Sequence, residues 1–296
     1  MEIMKKTLKY AAPVLMLPLL FASCLKDDDR IGPEAPGAVT ANIIEFADLV
    51  EPSSPRTSTV PKYSLAFDIA PSATLNLKIK CVGAEKAKED IKVTIALDNG
   101  LIATYNAERT AEEDDELMTV LPADRYAVTV TEAVIKKGER EAIIPIELMP
   151  DKFTFDADYA IGLAITSASS GNVSGNFGKM LLQLSAKNPY DGLYAYKNSV
   201  NSDLAPGREV DASLVTVGAN TVQLIPGLVA LYSNVVTYTV DPTTNKVEVN
   251  MTTLLPIATD PSSHYDPVTK TFHLKWKSVG RGWTFEETLV YTGPRD

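Results

Sequence analysis

Hydrophobic and polar residues alternate with a period of two along most of the chain after residue 38. Tyr63, Leu65, Phe67 and Ile69 alternate with Ser64, Ala66 and Asp68. Leu75, Leu77, Ile79 and Cys81 form a second set, and Val93, Ile95 and Leu97 a third. A period of two sends neighbouring side chains to opposite faces, so each set reads as the buried face of a strand. Tyr126, Val128 and Val130 repeat the pattern. So do Ile144, Ile146 and Leu148, where Pro145 faces the other way and predicts an edge strand. Segments 159–167 and 179–184 complete about seven short strands, with Asp98-Asn99-Gly100 read as a turn. No long helix is predicted. The reading over residues 38–186 is an Ig-like antiparallel β-sandwich.

The rhythm breaks at Ser185–Gly192, where Asn188-Pro189 and Asp191-Gly192 are turn dipeptides. A domain boundary is placed here, and residues 187–296 read again as all strand. Two segments in this part repeat one device: Asp241-Pro-Thr-Thr-Asn-Lys246 and Asp266-Pro-Val-Thr-Lys270. In each, Asp-Pro starts a type I turn, because proline holds φ near −65° at the second turn position. Such hairpins build a meander, and a small lipocalin-like antiparallel barrel fits it.

Residues 1–23 read differently. Lys5, Lys6 and Lys9 precede the apolar stretch 11–22, which Pro13 and Pro18 interrupt. It is shorter than the roughly 20 residues that span a bilayer, so it reads as a secretory signal. Small residues Ala22 and Ser23 precede Cys24, which resembles a bacterial lipobox; the resemblance implies lipidation at Cys24. Phe21 stands where the commoner residue is leucine. Lys26, Asp27, Asp28 and Asp29 follow at once and resemble the surface-export signal of Bacteroidetes-type lipoproteins. The alternatives are an ordinary signal peptide with an incidental cysteine and a plain solvated tether. Residues 24–37 hold prolines, glycines and acids and read as a flexible linker. The expected location is the outer membrane, lipid-anchored and facing the exterior.

Composition narrows the partners. The net charge is −10, so phosphate backbones are repelled and no nucleic-acid partner is expected. There are two cysteines; with lipid on Cys24, Cys81 is left alone on the buried face of its strand, and no disulfide framework exists.

Several stretches taken in order carry a resemblance. "YSLAFDIA", "IKVTIALDN", "LPADRYAVTVTEAVIKKGE" and "DADYAIGLAITSASSGNVSGNF" are similar to the N-terminal domain of unknown function in many Bacteroidetes surface lipoproteins. "NPYDGLYAY", "DPTTNKVEV", "HYDPVTKTFHLKWKS" and "RGWTFEETLVY" are similar to the lipocalin-like domain that follows it. The resemblance implies a Sus-like polysaccharide-utilisation setting, with an outer-membrane transporter or a glycosidase as neighbour. It carries no set of functional residues. The glycosidase barrels that share the N-terminal domain bear a D-x-x-D-x-D-x-E motif, which is absent here.

The chemistry is sparse. His264 and His273 are the two histidines, in no metal-ligand spacing, and no cofactor or metal is expected. Glu286 and Glu287 are adjacent on a strand and point to opposite faces. Asp156 and Asp158 share a face and could help hold Ca²⁺, or be a solvated strand entry. Trp276 reads as core. Trp283 follows Gly280-Arg281-Gly282, a turn with a cation, and Tyr265 flanks His264 in an expected loop. Trp283, Arg281, Tyr265 and His264 are therefore the candidate ligand-binding set, on one end of the barrel where loops cluster. The leading function is a non-catalytic carbohydrate-binding lipoprotein. The rivals are a structural or protein-interaction lipoprotein with no sugar affinity, and a glycoside hydrolase with an unrecognised carboxylate pair.

Overall fold

The computed structural model describes residues 42–295, apart from 48, 115, 129 and 130. The signal, Cys24, Lys26 to Asp29 and the tether lie outside the described residues. The fold is all-β, half strand and 8% helix. Residues 42–186 form two sheets. One has five strands in the order 172–173, 43–46, 73–82, 141–148, 126–127. The other runs 62–68, 179–187, 158–168, 91–97, 132–135, with the short strand 118–120 beside 158–168. The alternating residues meet between them: Leu77, Ile79, Ile144, Ile146, Ile161 and Leu182 are all fully buried. Cys81 joins this core, where burial pushes its thiol pKa up.

Three details differ from the sequence reading. The sandwich is mixed rather than purely antiparallel: strand 179–187 runs parallel to 62–68, 43–44 to 172–173, and 118–120 to 158–160. The strand with Pro145 is not terminal. Among the described residues its outer neighbour pairs only with Glu147 and Leu148. The third difference is a helix, Gly100–Ala111, where a turn was expected.

Its buried residues, Leu101, Ile102, Tyr105 and Arg109, follow helical spacing, and the apolar ones pack with Val60, Met118, Ala160 and Leu181. Arg109 is 1% exposed, pairs with Glu112 at 2.9 Å, and stacks 5.3 Å from the Tyr105 ring. The helix entrance lies against Gly162. Asp98 donates its N–H to the Gly162 carbonyl at 2.8 Å, and Asn99 Oδ1 accepts the Gly162 N–H at 3.2 Å.

Residues 192–293 form the barrel. Its strands follow the order 247–251, 236–240, 221–225, 209–218, 192–198, 283–293, 271–278, 257–259, with 264–266 also on 271–278. First and last strands are joined. Val247 donates to Ser263 O at 3.1 Å, Tyr265 donates to Asn245 O at 2.9 Å, and Thr259 Oγ1 accepts the Val249 N–H at 2.9 Å. Its core shares no residue with that of the sheets before it. Among the described residues no helix is long and apolar enough to cross a membrane.

A methyl group on Gly162 would lie 1.9 Å from the Asp98 carbonyl oxygen, a backbone atom that cannot swing aside. Gly162→Ala is expected to cost about 2–3 kcal/mol in urea denaturation, the upper range for overpacking. Gly175→Ala, with nothing within 4 Å, is the control and is expected to be near neutral. Equal stability of the two variants would refute the close approach.

Candidate functional site

The two Asp-Pro segments fold into the same turn. Asp241 Oδ1 accepts the N–H groups of Thr243 (2.8 Å) and Thr244 (3.3 Å), and Oδ2 accepts the Thr244 hydroxyl at 2.8 Å. Asp266 does the same with Val268 (2.9 Å), Thr269 (3.4 Å) and the Thr269 hydroxyl (2.8 Å). These bonds, the threonine hydroxyl first, hold both carboxyls below the usual carboxylate range. Each turn then needs a residue in the left-handed region. The first uses Asn245 (φ 57°), a residue type that tolerates it; the second uses Lys270 (φ 49°), which does so only under constraint. The constraint is visible. Lys270 O accepts the Tyr291 N–H at 3.1 Å, and Lys270 Nζ sits 4.6 Å from the Tyr291 ring centroid.

Both left-handed residues face one cleft of about 620 Å³. Tyr190, Tyr265 and Tyr291 form its apolar wall, with Tyr190 and Tyr265 edge-to-face at 4.9 Å. Lys187 and Asp68 enter from the first pair of sheets, and the Asp191–Arg295 pair closes one side at 3.2 Å. Beyond that pair a second cleft of about 420 Å³ continues along Asp158, Gln183 and Thr216. The volume of the first falls in the ordinary range for small-ligand sites, roughly 300–1,000 Å³.

Hydrogen-bonding capacity separates this cleft from a mere packing gap. Asn188 is fully used: its amide donates to Gly218 O and Thr221 O, and its oxygen accepts the Tyr190 N–H. By contrast, the hydroxyls of Tyr190, Tyr265 and Tyr291 have no protein hydrogen-bond partner among the described residues; nor do the Asn245 amide and the Lys187 and Lys270 ammonium groups. Burial raises the Tyr190 and Tyr265 pKa values, so both hydroxyls stay neutral and able to donate.

The structure does not bring the four sequence-predicted residues together. Tyr265 lines the cleft, but in a strand rather than a loop, and it is 6% exposed. His264, next to it, points to the outer face, stacks on the His273 ring at 5.0 Å, and has Nδ1 2.8 Å from Ser262 O. Trp283, which opens strand 283–293, and Arg281 in the turn before it lie at the other end of strand 271–278, on which both segments pair. Tyr265 pairs with Phe272 and Trp283 with Ser278, six residues further, or roughly 20 Å at 3.3 Å per residue. Trp283 is half-buried against the barrel core, with the Arg281 guanidinium 5.8 Å from its ring. Tyr190, Tyr291, Asn245 and Lys270 were missed. The repeated Asp-Pro device is the sequence signal for Asn245 and Lys270; no comparable signal marks Tyr190 and Tyr291.

Family models match two segments of the chain. One, described as a domain of unknown function (DUF7015), matches residues 192–293; another, described as a "-like, N-terminal domain", matches residues 53–172. No curated protein matches. A solved protein of unknown function from Bacteroides ovatus is similar over 86% of this chain and 96% of its own, at 11% identity and a TM-score of 0.55. A second from the same organism covers 84% and 92%, at 15% identity and a TM-score of 0.52. These two show a shared fold. An auxiliary nutrient binding protein from Bacteroides thetaiotaomicron covers 77% and 90% at 14% identity; its TM-score of 0.47 carries no argument.

Glu286 and Glu287 do not face each other. Glu286 lies outside the barrel, 2.9 Å from Lys275 Nζ, and Glu287 lies inside, 2% exposed. Glu287 accepts bonds from Tyr196 Oη (2.6 Å), Trp276 Nε1 (3.0 Å) and Tyr238 Oη (3.2 Å). Trp276 is core, as the sequence implied, stacked on Phe285 at 3.9 Å. Asp156 accepts from the Tyr159 hydroxyl and Asp158 from the Gln183 amide. Among the described residues no three or more His, Cys, Asp or Glu side chains gather as a metal site.

Desolvation outweighs the three donors and raises the Glu287 pKa. A raised folded-state pKa contributes stability that is fully present below the unfolded value and is lost as pH rises through the folded one. Denaturation of wild type and Glu287→Gln between about pH 4 and 8 is expected to show it: wild type loses stability relative to the variant as pH rises. Parallel curves would show that Glu287 stays ionised in the folded barrel.

Proposed function

We propose that this protein is a non-catalytic carbohydrate-binding lipoprotein, anchored in the outer membrane through Cys24 and facing the exterior. The observation that carries the reading is the tyrosine-walled cleft with its unpaired hydroxyl, amide and ammonium groups. A sugar presents many hydroxyls, each both donor and acceptor, together with C–H faces that pack on aromatic rings. The cleft supplies a matching inventory. The likeness of the chain to polysaccharide-utilisation lipoproteins points the same way. The non-catalytic part is supported by the carboxylates, since the adjacent Glu286 and Glu287 lie on opposite sides of the barrel wall. An outer-membrane transporter or a glycosidase is the proposed neighbour that receives the glycan.

A glycan-array screen of wild type, Tyr291→Ala and Trp283→Ala tests the site. Binding is expected for wild type and Trp283→Ala, and a loss of about tenfold or more for Tyr291→Ala with its circular dichroism unchanged. Loss in Trp283→Ala alone would move the site to the far end of the barrel. Absence of binding to any glycan would favour the interaction-protein reading, and new reducing ends would favour a hydrolase.

Anchoring is tested on cells. Metabolic labelling with a fatty-acid analogue is expected to mark the wild-type chain and not Cys24→Ser. Protease added to intact cells is expected to remove the labelled protein. Label without protease sensitivity would place the anchor on the periplasmic leaflet.

A further inference from the structure

The charges of the cleft narrow its ligand, on the premise that it holds a saccharide. Three cations line it, Lys187, Lys270 and Arg295, against two carboxylates, Asp68 and Asp191. Asp191 is occupied: Arg295 Nε and a terminal guanidinium nitrogen reach its two oxygens at 3.2 Å each, and the Thr216 N–H donates to it at 2.8 Å. The nearby carboxylates of Asp241 and Asp266 stay charged, and their charges reach Tyr190 and Tyr265, but their oxygens are bonded into their own turns. That leaves Lys187 and Lys270 facing Asp68. Among the described residues neither lysine has a carboxylate within ion-pair distance.

Lys270 is also held in place, its backbone tied to the Tyr291 N–H and its ammonium against the Tyr291 ring. A cation held at the wall of a concave site is a recognition element, whereas one on a free side chain is a solvated charge. The chain as a whole is acidic, with a net charge of −10. At physiological salt the Debye length is about 8 Å, so remote carboxylates are largely screened and the charges lining the cleft decide.

We propose that the cleft selects acidic saccharides, with the carboxylate of a uronic-acid unit reaching Lys270 and Lys187 while its hydroxyls meet the tyrosines and Asn245. A neutral sugar would leave both ammonium groups facing Asp68 alone.

The test is calorimetric titration of the purified protein with galacturonate and glucuronate oligosaccharides and with their carboxyl-reduced, neutral counterparts. The acidic forms are expected to bind about tenfold tighter or better, with a preference that shrinks as salt rises. The double variant Lys187→Gln, Lys270→Gln is expected to lose that preference, its affinity for the acidic forms falling by about tenfold or more and that for the reduced forms by much less, with its circular dichroism unchanged. Equal affinity for acidic and reduced forms overturns the charge inference and leaves the saccharide reading standing. So does a preference that survives the double variant. No binding of either form overturns both.

Discussion

The candidate site depends on the way the barrel closes. A sheet that ends in solvent exposes a row of unpaired N–H and C=O groups, and closing it satisfies them. Here the last links are the Tyr265 N–H on Asn245 O, the Val247 N–H on Ser263 O, and the Thr259 hydroxyl on the Val249 backbone. The first of these joins one Asp-Pro turn to the strand that leads into the other. Closure therefore brings Asn245 and Lys270 to one cleft, and the strand between the turns delivers Tyr265. The cleft is a consequence of satisfying backbone hydrogen bonds at the seam.

Much of the core was legible because period two survives burial. Leu75, Leu77, Ile79 and Cys81 face inward, as do Ile144, Ile146 and Leu148. Trp276 and Glu287 follow the same rule: both face inward from neighbouring strands as diagonal neighbours, Trp276 pairing with Phe285 and Glu287 with Leu274, which is why a carboxylate sits beside an indole N–H. The helix was hidden because only three of its inward residues are apolar and the fourth is Arg109, a residue that reads as surface until its stacking on Tyr105 is seen. The parallel strand pairs were hidden for another reason. Pairing direction is a property of how segments return in space, and alternation within one segment is blind to it.

The site was less legible than the fold. Trp283 and Tyr265 attracted attention as aromatics near turns, yet register separates them along strand 271–278. Tyr190 and Tyr291 are about a hundred positions apart and meet the same cleft because strand 192–198 pairs with strand 283–293. What the sequence did carry was the duplicated Asp-Pro-x-Thr turn. Its fifth position is chemically odd in one copy, because lysine has no conformational reason to occupy a left-handed residue. A local rule broken in one of two otherwise matching turns is the kind of departure that marks a functional position.

The lining of the cleft is also fixed before any ligand arrives. Tyr265 is bonded through its backbone to Asn245 and lies in a strand paired with 271–273; the Tyr190 N–H is fixed by Asn188 Oδ1; Lys270 is fixed through Tyr291. Ordering long side chains and loops is a main cost of association, about 0.5–1.5 kcal/mol for each flexible side chain immobilised. A cleft whose aromatic and amide groups are already positioned by the barrel seam avoids most of that cost. The cation of the lining that no protein contact holds among the described residues is Lys187, and long-range attraction to a charged ligand would order it first.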